Sequence, residues 1–415
     1  MKYPVSLATA FVLSIPSLAI AQDCKTAQET IIVSSPEDLD IFRDGCTTIT
    51  GNIEISHNYV DDFFLDKVTD IVGNISIPDV ANPGTLGVLD LPDLVKAGAI
   101  TLHQTTGVNL PKLERAGDIF LNPWTSGTVD LRNLREADSI SVKNGWRSID
   151  LSSLETVHGM LEFSNPNSSS IFPADQLPRL EIALPALKRT RSLEAGGYAA
   201  SFSAPELEVI GLTGPSEEDR YQGSFSVSFH DHIEVEFPKL HTLTGSTLIM
   251  GNITRISLPA LGKTDAGFEF NTEEPVEIYS SLETAAHFWL WGKIKSIELP
   301  NMVDLGSVSF ANPIWPCNET LVKIWETVPD YGSSGEGRCT REDLPEENPD
   351  PSGEEGSGGV DTDTDTPPES GSGSEAVDET ENQDVPGDTG AFLAPPQFGG
   401  AGMLLVAVVA YVLHA

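Results

Sequence analysis

The chain has 415 residues, with 24 Lys and Arg against 62 Asp and Glu and a formal net charge of -38. This acidic excess argues against partners held by general electrostatic attraction, namely nucleic acids and anionic membrane surfaces. The length admits two or three globular domains, or one long repeat array that grows by adding turns.

The first 21 residues predict a secretory signal peptide. Lys2 gives a positive start, the run from Val5 to Leu18 is mostly apolar, and Ala19-Ile20-Ala21 fits a small-x-small cleavage pattern. We therefore expect a mature chain that begins at Gln22. The alternative is an uncleaved signal anchor, for which the apolar run is short.

Four cysteines in a secreted chain favour two disulfides. Their positions favour Cys24 with Cys46 and Cys317 with Cys339, each pair 22 residues apart. Closing loops of this length restricts the unfolded chain by roughly 3 kcal/mol apiece in the entropy model. We expect the two bonds to staple the two ends of a repeat fold. Redox chemistry is disfavoured because no Cys-x-x-Cys pair is present.

Short elements are predicted next in the chain. Ser35 followed by Pro36 predicts the start of a short helix. Two alternating segments then predict strands with every second residue inward. Their apolar positions are Ile49, Ile53 and Ile55, and then Val72, Ile75 and Ile77.

A four-residue motif, in most copies apolar-x-x-Leu, recurs through the centre of the chain and is followed in the early copies by a short alternating strand. The copies begin at Leu91, Leu110, Leu131, Leu151, Leu184, Ala204, Phe237, Leu258, Tyr279 and Leu299. A period near twenty with one strand per copy predicts a solenoid whose turns bury their apolar sides by stacking. We expect an all-β fold, a right-handed parallel β-helix or leucine-rich solenoid. Two longer intervals contain polar insertions, 165–176 and 214–223, which are predicted surface loops.

Asparagine recurs just past the strands, where a side-chain amide bonds turn backbone and tolerates left-handed conformations. The positions are Asn122, Asn144, Asn165, Asn271 and Asn312, and we interpret all of them as turn formers.

Phe288-Trp289-Leu290-Trp291 is the strand with the strongest indication of binding. Alternation sends Phe288 and Leu290 inward, so Trp289 and Trp291 point outward together. Paired exposed indoles stack on sugar rings or anchor a protein partner. The alternative is that a neighbouring loop or a cap covers them.

Other candidate chemistry is weaker. His230 and His232 lie on the same side of a strand and are a candidate metal pair without a third ligand, so an outward polar pair is the better interpretation. The acidic Asp361–Thr366 run lacks the turn glycine and terminal glutamate of a specific calcium loop. We predict no metal and no cofactor.

An enzyme of the β-helix type needs carboxylates that converge on one face across adjacent turns. The outward positions are interpreted as Thr101, Phe120 and Ser141, with Glu162, Glu269 and Glu277 scattered later. No cluster is predicted, and no esterase, zinc-protease or nucleotide-loop motif is present. We therefore predict no catalytic residues and no nucleotide partner.

Four N-glycosylation sequons are present, and each predicts a surface glycan. They begin at Asn74, Asn167, Asn252 and Asn318. Asn167 lies in the first insertion, whereas Asn74 and Asn252 lie close to strands, where a bare turn is the alternative.

The C-terminal quarter predicts a tether. Residues 341–390 are rich in Glu, Asp, Ser, Gly, Pro and Thr and predict an acidic, disordered stalk. Residues 391–415 combine a spacer with an apolar tail and follow the small residues Asp388-Thr389-Gly390. This order is the signal for attachment of a glycosylphosphatidylinositol (GPI) lipid, which removes the tail. We expect attachment at Asp388, with Gly387 as the alternative.

The repeats, the flanking cysteine pairs, the secretion signal, the low-complexity stalk and the GPI signal together resemble a known family. It is the fungal GPI-anchored cell-wall-organisation family of the extracellular-mutant and sporulation-specific type. Its ectodomain is similar to the receptor L domain of growth-factor receptors. The resemblance implies a non-enzymatic role in wall organisation and integrity. Family stalks are often rich in Ser and Thr, whereas this stalk is acidic and rich in Gly.

The sequence therefore predicts four segments: a signal peptide at 1–21, an L-domain-like β-solenoid at 22–340, a stalk at 341–390 and a GPI signal at 391–415. The predicted location is the cell surface, on the outer leaflet of the plasma membrane, in the wall, or both. The expected partners are wall polysaccharides or wall proteins. Two alternatives stay open: a receptor-like module that binds a glycan or a protein, and a wall-polysaccharide lyase or hydrolase.

Overall fold

The computed structural model describes residues 22–43, 45–79, 86–123, 127–165, 178–211, 223–264, 266–311 and residue 322. By its contacts the chain divides into Met1–Glu347 and Asn348–Ala415, and all described residues belong to the first unit. Several predicted features lie outside the described residues. They are the signal peptide, most of both insertions, the stalk, the apolar tail, Cys317, Cys339, Asn167, Asn312, Asn318, Gly387 and Asp388.

The described residues form strands almost throughout. In chain order the strands are β1 (Gln22–Val33), β2 (Cys46–Ile55), β3 (Phe63–Phe64), β4 (Asp70–Val72), β5 (Ile75–Ser76), β6 (Leu86–Asp90), β7 (Lys96–Ala97), β8 (Ile100–His103), β9 (Thr105–Asn109), β10 (Arg115–Asn122), β11 (Thr128–Asp130), β12 (Glu136–Lys143), β13 (Ser148–Asp150), β14 (Thr156–Asn165), β15 (Leu180–Ala183), β16 (Arg189–Gly197), β17 (Ala199–Ser203), β18 (Val209–Ile210), β19 (Ser224–Glu236), β20 (Thr242–Leu243), β21 (Ser246–Leu258), β22 (Gly267–Ser280), β23 (Thr284–Glu298) and β24 (Asp304–Ala311). A 3-10 helix, Pro36–Leu39, and a helix α1, Asp40–Arg43, lie between β1 and β2.

The strands stack in parallel into a β-solenoid of about 12 turns with about 21 residues per turn, as the sequence predicts. The main sheet runs from β1 and β2 through β4 and β5, β7 and β8, β10, β12, β14 and β16 to β24, and each strand pairs with its equivalent in the next turn. A second sheet on another side of the solenoid contains β3, β6, β9, β11 and β13, and a two-stranded sheet pairs β15 with β17. Within the described residues, no helix is long and apolar enough to cross a membrane.

The repeated motif forms a tight turn at one corner of the solenoid. In the second full copy the Leu113 amide donates to the Leu110 carbonyl oxygen at 3.1 Å, and the same bond recurs from Leu94 to Leu91 at 3.2 Å. A bond from the first to the fourth residue defines a β-turn, and proline fits the second position because its ring fixes φ near the required value. Both leucines of these two copies are fully buried. The motif therefore supplies a turn and two core side chains at once.

The core consists of side chains stacked in rows along the solenoid axis. One inward row of register partners contains Ile100, Ile119, Ile140, Leu161, Leu193, Phe225, Thr247, Phe268 and Phe288. Its apolar members are at most 2 % exposed. Burial of each large apolar side chain contributes about 1.5–3 kcal/mol. Phe268 and Phe288 stack with ring centroids 5.1 Å apart.

The N-terminal end is closed by the predicted disulfide and a short helical cap. Cys24 bonds to Cys46 and joins β1 to β2. The Asp38 carboxylate accepts bonds from the amides of Ser34 and Ser35 at the start of the helical segment, at 2.8 and 2.9 Å. Leu39 and Phe42 from this segment are buried. The first turn is thus covered by apolar side chains and fixed by a covalent bond.

Two details differ from the prediction. Val72 is 62 % exposed and Ile71 is buried in its place, because Ile71 is the register partner of the buried Ile49 on β2. Asn271 is not a turn former, since it lies inside β22 and is exposed beside Trp291. Asn144 does adopt a left-handed φ of 63°, and its side chain donates to the Asn122 side-chain oxygen.

Candidate binding face

The register of the main sheet aligns its outward side chains in rows, and two neighbouring rows form what we call the outer face. The first row contains Thr101, Phe120, Ser141, Glu162, Glu194, Ser226, Leu248, Glu269 and Trp289. The second row contains Lys143, Ser164, Gly196, Ser228, Met250, Asn271 and Trp291. Each row runs along the solenoid axis, perpendicular to the strands.

The indoles of Trp289 and Trp291 mark one end of the outer face. They are 42 % and 44 % exposed, whereas Phe288 and Leu290, which alternate with them, are 2 % and 0 % exposed. This is the alternation expected from the sequence. Both side chains project from β23 and are open to solvent, so the described residues do not cover them.

His287 lies beside the indoles and completes an aromatic group. Its ring centroid is 5.0 Å from that of Trp289, with the planes inclined by 39°. The imidazole lies over Gly267 of the neighbouring strand β22, where an added Cβ atom would approach the ring to 1.9 Å. Burial lowers the pKa of His287, while the nearby Glu269 carboxylate acts in the opposite direction. Only glycine at position 267 leaves room for this arrangement.

Polar and aliphatic side chains flank the indoles on the neighbouring strands. Glu269 and Asn271 of β22 are the register partners of Trp289 and Trp291. Leu248 and Met250 of β21 follow in the same rows and are half-buried. Flat aromatic rings, hydrogen-bonding groups and low aliphatic side chains therefore alternate from strand to strand.

Two carboxylates lie side by side further along the first row. Glu162 and Glu194 are register partners on β14 and β16. Glu162 accepts a bond from the Ser141 hydroxyl at 2.6 Å, and Lys143 lies 3.3 Å from its other oxygen. Glu194 accepts a bond from the Ser224 hydroxyl at 3.2 Å.

The prediction that the outward carboxylates are scattered is therefore wrong for this pair. The first insertion separates Glu162 from Glu194 in the sequence and hides their alignment. The motifs at Leu151 and Leu184 lie on either side of the insertion, and their spacing is the only sequence signal of this alignment.

A depression of about 520 Å³ lies on the second sheet, apart from the outer face. Three of its polar residues already have partners: Asn109 donates to Asp90 at 2.7 Å, and Arg132 donates through Nε to Asp130 at 2.8 Å. The Arg132 guanidinium holds the pKa of Asp130 below its usual range. These contacts account for Asn109, Asp130 and Arg132 without a ligand.

The remaining sequence candidates are separate from the outer face rows. His230 and His232 are both exposed on β19, and the His230 ring lies 5.0 Å from that of Tyr198. Asp231 between them pairs with Arg179 at 3.1 Å. Within the described part of the chain, no group of three or more His, Cys, Asp or Glu side chains has metal-binding geometry.

Two of the four sequons fall within the described residues. The Asn74 side chain is exposed and its oxygen accepts a bond from the Ala99 amide at 3.0 Å. The Asn252 side chain is half-buried and donates to the His230 carbonyl oxygen at 2.7 Å. Both amides therefore bond the backbone of a neighbouring turn.

Comparison with known proteins gives no match: no protein-family model fits the sequence, and no curated protein or solved structure is similar to the chain.

Proposed function

We propose that this chain is a non-enzymatic, GPI-anchored surface protein that contributes to fungal cell-wall organisation by binding a wall polysaccharide on its outer face. One observation carries the proposal. Trp289 and Trp291 project together from a rigid parallel sheet and stay exposed beside Glu269 and Asn271.

The chemistry of the indole pair suits a sugar. A pyranose ring presents C–H groups on its faces and hydroxyl groups around its edge. An indole provides a flat apolar surface for the C–H groups, and carboxylate and amide oxygens next to it accept bonds from hydroxyl groups. Because β23 is held on both sides by neighbouring strands, the rings are positioned before the ligand arrives.

A protein partner is less well supported by the composition of the face. Protein interfaces have a contiguous, desolvated apolar centre around their anchors. Here Glu269 and Asn271 lie directly next to the indoles on one side, and Ser226 and Ser228 lie one strand beyond Leu248 and Met250. The apolar area is interrupted at every second strand, which favours a ligand that is itself polar at its edges.

A binding role rather than catalysis is supported by the carboxylates. A glycosidase needs two carboxyl groups that are available to the scissile bond. Glu162 is engaged by Ser141 and Lys143, and Glu194 is engaged by Ser224. The surface location rests on the predicted signal peptide and GPI signal, and the wall role rests on the family resemblance.

The proposal is tested with the secreted ectodomain, residues 22–340, in sedimentation assays with insoluble β-glucan and chitin. The double variant Trp289→Ala, Trp291→Ala is expected to lose at least about tenfold in affinity, which corresponds to about 1.4 kcal/mol. The matched control is Phe64→Ala, which removes an aromatic ring that is 43 % exposed on the second sheet. It should bind like the parent.

Circular dichroism must show that all three proteins keep the same strand content. Equal binding by the double variant and the parent would refute the polysaccharide proposal. Loss of a wall-protein partner in the double variant, with polysaccharide binding unchanged, would favour the receptor-like alternative.

A further inference from the structure

We infer that the ligand of the outer face is an extended, uncharged polysaccharide that lies across the strands, from the indoles of β23 to the carboxylates of β16 and β14. This inference rests on the proposed function and adds the direction, the length and the charge class of the ligand.

The direction follows from the register. The path from Trp289 through Glu269, Leu248 and Ser226 to Glu194 is one continuous row of register partners. Neighbouring strands lie about 4.8 Å apart, so this row spans about 19 Å and reaches about 24 Å at the next strand, where Glu162 lies. A row of this length accommodates an oligosaccharide of several extended pyranose units.

The strand direction offers no comparable path. Gly292 follows Trp291 directly and adopts a φ of 93°, which turns the chain away from the face. His287 lies two residues before Trp289 and its ring is folded over Gly267. A ligand aligned with β23 would therefore contact one aromatic group and then leave the sheet.

The low height of the side chains along the two rows supports a ligand that lies along the rows and crosses the strands. Between the indoles and Glu194 the first row holds Glu269, Leu248 and Ser226, and the second holds Asn271, Met250 and Ser228. Leu248, Met250 and both serines are half-buried. No large exposed side chain interrupts these two rows between β23 and β16 among the described residues.

The charge of the row selects against anionic ligands. Glu269, Glu194 and Glu162 lie along it, and the one basic side chain in the two rows, Lys143, already pairs with Glu162. A polymer of uronic acids or phosphorylated sugars would meet repulsion from the two glutamates nearest the indoles. Hydroxyl groups of a neutral polymer, in contrast, donate to these carboxylates.

The test measures the affinity of the ectodomain for neutral oligosaccharides of increasing length by calorimetry. Probes are β-1,3-glucose, β-1,4-glucose and β-1,4-N-acetylglucosamine series from the disaccharide to the octasaccharide. The variant Ser226→Arg places a long side chain in the middle of the row. The matched control, Ser257→Arg, makes the same change on β21 away from both rows.

For the parent and for Ser257→Arg, affinity is expected to rise at least about tenfold between the disaccharide and the hexasaccharide. Ser226→Arg should bind the disaccharide like the parent and lose that rise. Glu194→Gln, which keeps the shape of the side chain, should lose part of the rise. It replaces Ser226→Arg as the deciding variant if circular dichroism shows that the arginine disturbs the fold.

The inference would be overturned if Ser226→Arg and Glu194→Gln both left the increase of affinity with oligosaccharide length unchanged. The proposed function would then still stand if the Trp289→Ala, Trp291→Ala protein had lost binding at every length. Tighter binding of a carboxylated glucan than of the neutral glucan would likewise overturn it, since the carboxylate row would then not face the ligand.

Discussion

The imidazole of His287 is half-buried against Gly267 and Trp289, and this burial lowers its pKa from 6.5. Between the folded and unfolded pKa values the unfolded chain binds more protons. The contribution of this residue to stability is therefore fully present above pH 6.5 and is lost as the pH falls through the folded pKa. We expect His287→Gln to flatten the decrease of the urea midpoint between pH 7.5 and pH 5. A decrease in His287→Gln that runs parallel to the decrease in the parent would contradict the assignment.

Thr247 is a polar residue in the apolar inward row. It lies between Phe225 and Phe268, is 2 % exposed, and its hydroxyl has no hydrogen-bond partner among the described residues. An unpaired buried hydroxyl costs about 1–3 kcal/mol. Thr247→Val is therefore expected to raise the free energy of unfolding by about 1 kcal/mol in urea titrations.

Thr264→Val is the matched control for that change. The Thr264 hydroxyl donates to the Leu243 carbonyl oxygen at 2.6 Å and accepts from the Ala266 amide at 2.9 Å. Its replacement should lower stability, because two paired groups lose their partner. Destabilisation by Thr247→Val comparable to that by Thr264→Val would show that the first hydroxyl is also paired.

Individual side chains also show what sequence patterns predict and what they miss. The outward direction of Trp289 and Trp291 follows from period-two alternation, which local backbone geometry enforces. The position of the His287 ring over Gly267 does not, because it depends on which residues of two different turns become register partners. The position of Asn271 beside Trp291 likewise depends on the register between β22 and β23.

At the level of the repeated turn, the buried leucine and the exposed residue before it have separate roles that mutation distinguishes. Leu113 is fully buried, so Leu113→Ala leaves a cavity and is expected to cost about 2–5 kcal/mol. Lys112, one residue earlier, is 60 % exposed and pairs with Asp93 at 2.7 Å. Lys112→Ala should cost about 0–1 kcal/mol, since surface ion pairs contribute little. Urea unfolding measures both, and similar losses would contradict the assigned turn.

The turn and the solenoid were predictable because one short motif carries both signals. Proline at the second turn position and leucine at the first and fourth recur with a period that matches one turn of the stack. The adjacency of Glu162 and Glu194 was not predictable by counting residues. An insertion of unequal length breaks the period, and the register resumes only because the strands after it pair again.

For the molecule as a whole, the predicted GPI attachment makes the ectodomain releasable. Treatment of intact cells with phosphatidylinositol-specific phospholipase C is expected to bring most of the ectodomain into the medium, where a blot detects it. A chain that ends at residue 390 should appear in the medium without the enzyme, because it lacks the signal for lipid attachment. Retention of the full-length C-terminus after treatment would contradict attachment, and retention without it would indicate covalent linkage to the wall.

The parallel stack also determines how the molecule carries a pulling force. Its strands lie across the solenoid axis, so a load applied along the axis opens the inter-strand bonds one after another, starting at the loaded end. A ligand that lies along the outer face from β14 to β23 holds all of these strands, and only β24 follows them among the described strands on the way to the C-terminus. Tension between that ligand and an anchor at the C-terminal end of the chain would therefore pass through the last turn and the residues after it. The turns from β1 to β12, with the Cys24–Cys46 bond, lie beyond the ligand and would stay unloaded.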